Sequence, residues 1–242
     1  MTLLSPDRTP EDLVVAKLIQ VMRLRDESLA EHGRHTAEIA VAMGGVLGCD
    51  VETLDRLYLA GMLHDIGKLG VTEATLWKPA GLSHAEWREV RTHPEEGHLL
   101  IADVVHRDVA AAVLYHHERV DGNGYPFGID ALTLPLVARV VQVADAFDTM
   151  TMGRPYQAAM PVRTAVEEIE RCAGTQFDPE AAAALARVYT SRGDPRLPLQ
   201  APAPADDEVI DLTDAGPYGP AAPAPADPFA GSPSMIRLRR SG

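Results

Sequence analysis

Apolar residues recur every three to four positions through most of the first 192 residues, and alternating runs bounded by turns are scarce. That periodicity predicts helices and very little sheet. Leu13, Ile19 and Met22 mark a first helix over about residues 10 to 30, and a second is expected over about 32 to 47. A third follows Asp50, a good N-cap, and runs through Leu54, Leu57 and Met62 toward His64, where Gly67 and Gly70 end it. Ser83 and Glu86 have the spacing of a capping box, with Leu82 and Trp87 placed to staple it. Pro94 suits the first turn of a further helix, and Asp108 is expected to cap the next, ending near His117. After a Gly/Asn-rich loop from Asp121 to Gly128, three more helices are expected over about 135 to 152, 161 to 172 and 179 to 191. No internal repeat interrupts the series, so the pattern points to one all-α domain.

Composition changes this picture at the C-terminal end. Ten of the 19 prolines lie from Gly193 onward, among Ala/Pro stretches such as Ala201 to Ala205 and Pro220 to Pro228. Such a segment cannot bury much apolar surface, so residues 193–242 read as a disordered tail. Residues 1–27 are expected to supply an N-terminal helix packing on a catalytic domain over 28–192. All nine histidines fall between His32 and His117, so the chemistry belongs to that domain.

Charge and cysteine content narrow the function classes. The formal charge is −13, which argues against a nucleic-acid polymer as partner because phosphate backbones would be repelled. Cys49 and Cys172 match no metal-clip or redox spacing, which fits a reducing cytoplasm. The longest apolar run, Val109 to Tyr115, is too short to span a bilayer, and no export signal leads the chain. A soluble cytoplasmic protein is expected.

Six short pieces carry candidate ligands: Glu31 with His35, His64-Asp65, His93-Pro94, His116-His117, Gly124-Tyr125-Pro126 and Asp145. Divalent iron, manganese or nickel accepts imidazole nitrogen and carboxylate oxygen together, and a carboxylate can bridge two ions. Glu31 and His35 are four apart, which puts both on one helix face. Adjacent helical residues diverge by about 100°, so His64-Asp65 and His116-His117 can each reach two neighbouring ions. Two ions about 3.5 to 4 Å apart suit phosphodiester hydrolysis, because they neutralise charge developing on phosphorus. They would also supply, with Lys68 and Arg154, the local positive charge that an acidic protein needs to hold an anionic diester.

The segments HDIGK (His64 to Lys68), HPEEG (His93 to Gly97), HHERVDGNGYP (His116 to Pro126), ADAFDTMTMGRPY (Ala144 to Tyr156) and GTQFDP (Gly174 to Pro179) resemble the HD-GYP family of metal-dependent phosphodiesterases. The resemblance covers about residues 28 to 190, and HHERVDGNGYP is its most specific part. It implies an all-α HD-domain helical bundle that hydrolyses cyclic di-GMP, or a related cyclic dinucleotide, to linear pGpG or GMP. Carried over by motif, His35, His64, Asp65, His93, His116, His117 and Asp145 fall on metal-ligand positions, with Asp65 as the bridge. Glu31 matches the extra carboxylate of members with three metals, so two or three divalent ions are implied, iron or manganese foremost. Asp65 and Lys68 would carry catalysis, while Lys68, Arg154 and Tyr125 would meet substrate. Gln157 departs from the pattern, because a second basic residue commonly stands there.

Other residues read more plainly. His32, His84, His98 and His106 lie outside the motif positions and are assigned to surface or ordinary packing, with His98 kept in view for its nearness to the His93 motif. Asp148 is expected to be structural, or to orient a ligand. The resemblance also implies signalling partners, a diguanylate cyclase or another protein, engaged through the GYP loop or the tail. About 30 residues before the catalytic region cannot form a sensor domain, so control is expected from elsewhere. Two alternatives stay open: a binding module that does not hydrolyse, and a phosphohydrolase acting on another nucleotide. The GYP block speaks against the second.

Overall fold

The computed structural model describes residues 10–78, 80–130, 133–152 and 159–191. The expected tail over 193–242, Arg154 and Gln157 lie outside the described residues. The described residues hold ten α-helices: α1 (Pro10–Arg25), α2 (Glu27–Val46), α3 (Val51–Leu63), α4 (Glu73–Leu76), α5 (His84–Val90), α6 (His93–Ile101), α7 (Arg107–Tyr115), α8 (Leu136–Thr151), α9 (Val162–Arg171) and α10 (Pro179–Thr190). A 3₁₀ turn, Ile66–Gly70, follows α3. Pairing of extended backbone is limited to two isolated bridges among these residues, Asp121 with Asp130 and Ala173 with Phe177.

The helix starts follow side-chain chemistry. Asp50 accepts from the Thr53 N–H at 2.9 Å, and Asp178 accepts from Glu180 and Ala181 at 2.9 Å each, satisfying donors that a helix leaves unpaired. Ser83 and Glu86 form both halves of the capping box, while Leu82 and Trp87 pack on the same small cluster around Val71, Leu76 and Val90. Two boundaries differ from expectation. The first break falls at Asp26, whose carboxylate caps α2 through Ser28 N–H at 2.9 Å, so residues 27–31 join the second helix. At α7 the cap is His106, whose Nδ1 accepts from Asp108 N–H, and Asp108 sits in the first turn.

The core centres on α8, where Val137, Val140, Val141, Val143, Ala144 and Phe147 are buried together with Ile39 and Met43 of α2, Leu57 and Ala60 of α3, and Leu185 of α10. Each such side chain removed from water contributes about 1.5–3 kcal/mol for the larger ones. A second cluster joins Val15 and Met22 of α1 to Leu29, Met62, Leu63, Ile66, Ile101 and Val113. The N-terminal helix therefore packs directly behind the end of α3.

One close approach positions the centre of the molecule. A Cβ at Gly67 would fall 1.9 Å from the His93 carbonyl oxygen and 2.5 Å from the Gly97 nitrogen. The 3₁₀ turn thus lies backbone to backbone against the start of α6, which only glycine permits. Gly67→Ala should therefore cost about 3 kcal/mol or more by overpacking. A urea melt of the full chain measures it, and a loss below about 1 kcal/mol would contradict the contact.

Candidate metal centre

Three histidines close the ends of three helices in the same way. The last turn of an α-helix leaves carbonyls without intrahelical partners. His64 Nδ1 donates to Gly61 O at 2.7 Å at the end of α3, His93 Nδ1 to Val90 O at 2.7 Å at the end of α5, and His116 Nδ1 to Val113 O at 2.8 Å at the end of α7. Because a carbonyl only accepts, each Nδ1 carries a proton, and each Nε2 is turned away from the backbone toward the centre. All three rings are buried.

Those Nε2 atoms point at one another. His93 Nε2 lies 3.2 Å from His116 Nε2 and 3.1 Å from His117 Nε2, and Asp65 Oδ1 lies 3.2 Å from His93 Nε2. A second group joins His64 Nε2 to His32 Nε2 at 3.3 Å and His32 Nε2 to Asp145 Oδ1 at 3.0 Å, with Asp65 Oδ2 3.3 Å from His64 Nε2. Ligand atoms of Asp65, His93, His116 and His117 lie within 4.8 Å of one another, as do those of His32, His64 and Asp145. Imidazole nitrogens and carboxylate oxygens gathered this closely in a buried site are a donor set that suits a divalent transition metal. The described residues thus form a His/Asp cluster able to bind metal.

Asp65 joins the two groups. It sits between α3 and the 3₁₀ turn at φ −99°, ψ 8°, outside the regular helical region. One carboxylate oxygen faces each group, and Lys68 Nζ lies 2.6 Å from Oδ2. Burial would raise the Asp65 pKa, but the charges of Lys68 and His64 outweigh it and hold the carboxyl well below its usual range. Asp145 is held low against burial by the His32 hydrogen bond and the His64 charge. Burial, then the neighbouring His64 and His93, pushes His116 down to about 3; His117 is lowered by burial and by His116. These rings are neutral and ready to ligate.

Two sequence expectations change here. Glu31 is exposed and His35 lies outside both groups; His32 occupies the place expected for His35. The reason is helical register. Buried α2 residues Leu29, Gly33, Thr36, Ala40 and Met43 mark the inner face, and His32, three after Leu29 and four before Thr36, lies on it. That apolar spacing was legible and outranks the Glu31/His35 spacing. His35 instead sets Nδ1 3.4 Å from Asp148 Oδ1 and accepts from the Arg34 guanidinium at 2.8 Å. Asp148 accepts from His32 Nδ1 at 2.6 Å and so orients that ring. His98 hydrogen-bonds Ala110 O between α6 and α7, and His84 is exposed.

The GYP loop is fastened to the same ligands. Tyr125 N–H donates to His117 O at 3.2 Å, and the Tyr125 ring stacks on the His117 ring with centroids 4.7 Å apart. Gly124 is required because a Cβ there would lie 2.4 Å from Glu118 Cα. Glu118, which sequence reasoning passed over, is fully buried and accepts the N–H groups of Phe127, Gly128 and Ile129 at 2.6, 3.1 and 3.2 Å. Burial, then the charges of Asp65 and Asp145, raises the Tyr125 phenol well above its ordinary value.

His32 sets the pH response of metal uptake. Burial alone would lower its pKa, but hydrogen bonds to Asp145 and Asp148 raise it to about 10. Above its ordinary 6.5 and below about 10, the metal-free ring is therefore an imidazolium that must lose one proton to ligate. Apparent metal affinity should rise about tenfold per pH unit over this window, read by chelator competition between about pH 6.5 and 8.5. His32→Ala should lose bound metal and flatten the slope, whereas Glu31→Ala should leave both unchanged.

Comparisons with known proteins identify the family. The family model described as HD domain matches residues 16–181. The 3'3'-cGAMP-specific phosphodiesterase 3 of Vibrio cholerae is 40% identical over 141 residues, covering 57% of this chain and 31% of that protein. The cyclic di-GMP phosphodiesterase response regulator RpfG of Xanthomonas campestris is 32% identical over 176 residues, covering 72% and 47%. A cyclic di-GMP phosphodiesterase of Thermotoga maritima is 31% identical over 184 residues, covering 74% and 50%. The chain spans half or less of the length of these curated relatives. Among solved structures, an HDG"Y"P protein from Bdellovibrio bacteriovorus aligns with TM-score 0.56 at 20% identity, covering 67% of this chain and 52% of that one. The HD domain of the L. monocytogenes phosphodiesterase PgpH aligns with TM-score 0.53 at 12% identity, covering 73% and 97%. These two share the fold. The chain belongs to the HD-domain family, in its HD-GYP branch.

Proposed function

We propose that this chain is a metal-dependent phosphodiesterase that hydrolyses cyclic di-GMP, or the related 3'3'-cGAMP, to linear pGpG or on to mononucleotide. The observation that carries the reading is the Asp65 carboxylate with one oxygen toward each ligand group. Two divalent ions, iron or manganese, fit this arrangement, and Glu31 stands too far out to add a third. Bound there, the ions activate water for attack on phosphorus and neutralise charge on the phosphate oxygens. His93, His116, His117 and Asp65 would hold one ion, and His32, His64 and Asp145 the other. Lys68 keeps Asp65 ionised and stands at the cluster edge, where we assign it a phosphate contact, as we do for Arg154 by motif. Tyr125 closes the wall beside His117.

The relatives' names support both cyclic dinucleotides as substrates: cyclic di-GMP for the Xanthomonas and Thermotoga proteins, 3'3'-cGAMP for the Vibrio one. The two cysteines are free, and among the described residues no helix is long and apolar enough to cross a membrane. We place the activity in the reducing cytoplasm. The GYP loop exposes Phe127, and this face is where we assign contact with a cyclase or other signalling protein.

Full-length chain purified without oxygen and loaded with iron or manganese should linearise at least one of the two dinucleotides, seen by chromatography of products. Asp65→Asn should lower kcat by about a hundredfold or more and reduce bound metal. A fully loaded preparation that leaves both substrates intact would refute the reading.

A further inference from the structure

Arg91 ends α5 two residues before His93 and is exposed. Its guanidinium carbon lies 4.3 Å from the centre of the Tyr125 ring, within cation–π range. The same ring stacks on His117 at an interplanar angle of 26°. A cation is thereby anchored at the rim of the ligand cluster, one aromatic ring away from it.

Several cations of the fold are committed elsewhere. Lys68 pairs with Asp65, Lys78 with Glu86, Arg119 with Asp121 and Arg139 with Asp178. No carboxylate pairs with Arg91 among the described residues. Its planar fork, held over Tyr125, keeps its donors available for two oxygens of one phosphate. A cyclic dinucleotide carries two phosphodiesters, and only one can react at a time.

We infer that Arg91 binds the phosphodiester that is not being cleaved, an inference that rests on the phosphodiesterase reading. Tyr125 acts as its platform and so links the GYP loop to substrate affinity. Arg91 is a substrate-binding residue in this assignment and takes no part in the chemical step.

Steady-state kinetics of metal-loaded wild type, Arg91→Gln and Arg91→Lys on cyclic di-GMP and 3'3'-cGAMP test it. Arg91→Gln should raise KM about tenfold or more on both substrates, with kcat within about twofold and metal content unchanged. Arg91→Lys, which keeps the charge, should recover most of that loss. A fluorescent, non-hydrolysable phosphorothioate analogue of cyclic di-GMP, followed by anisotropy with the metal-loaded full chain, should bind Arg91→Gln more weakly by a similar factor. Unchanged KM and binding would overturn the inference. So would a fall in kcat at constant KM, which marks Arg91 as a brace for Tyr125, and so would a KM effect on one substrate only, which marks base recognition. If wild type cleaves neither dinucleotide, the phosphodiesterase reading fails on its own. The anisotropy measurement still judges Arg91 then: weaker binding by Arg91→Gln supports it and equal binding overturns it.

Discussion

The hydrogen bond from imidazole Nδ1 to the carbonyl three residues earlier is the constraint on which the centre depends. It is made at the ends of α3, α5 and α7, by His64, His93 and His116. Each bond satisfies a carbonyl that the helix end would leave bare, fixes the tautomer and sets the ring plane. The backbone thereby does the work that carboxylate partners do at many metal sites. Only His32, on the middle of α2, takes its orienting bond from a side chain, Asp148. The difference goes with opposite titration of two rings: burial lowers His116, whereas hydrogen bonds to Asp145 and Asp148 raise His32 against burial.

Convergence of these helix ends requires close backbone approach. Gly67 lets the 3₁₀ turn touch α6, which places Asp65 Oδ1 beside His93. Gly124 lets the GYP loop fold onto Glu118, and Glu118 then gathers three loop N–H groups with one buried carboxylate. The loop motif and the double histidine are neighbours in sequence because they are one mechanical unit: the residue after His117 clamps the loop whose tyrosine stacks on His117. A family signature that looks like a string of unrelated letters is here a set of contacts.

Much of this was legible in the chain. Caps at Asp50, Ser83 and Asp178 announce their helices through local chemistry, and those boundaries agree with the structure to within a residue or two. His64, Asp65, His93, His116, His117 and Asp145 come together from four segments. The error at α2 has a physical source. Glu31/His35 spacing satisfies the rule for two residues on one face, but that rule does not say which face is inward. The inward face is set by burial of Leu29, Thr36 and Met43, which selects His32. Apolar spacing does not mark the break at Asp26, where the chain passes from exposed Leu24 to buried Leu29. Glu118 carried no signal beyond its place in the motif, since a buried carboxylate serving backbone donors leaves no periodic trace.

The charge balance closes the argument. A chain with net charge −13 repels anions at long range, yet the proposed substrate is a dianion. Screening limits that repulsion to roughly 8 Å at physiological salt, so local charge decides binding. The cluster itself, with neutral His116 and His117 and ionised Asp65 and Asp145, offers an anion nothing until cations fill it. Metal uptake therefore reverses the sign of the site as well as equipping it. Because neutral lone pairs facing one another are costly when buried, the same uptake also relieves strain in the helix ends that hold them. Stability and substrate affinity are in this way tied to one event, and a metal-free chain should be deficient in both for a single electrostatic reason.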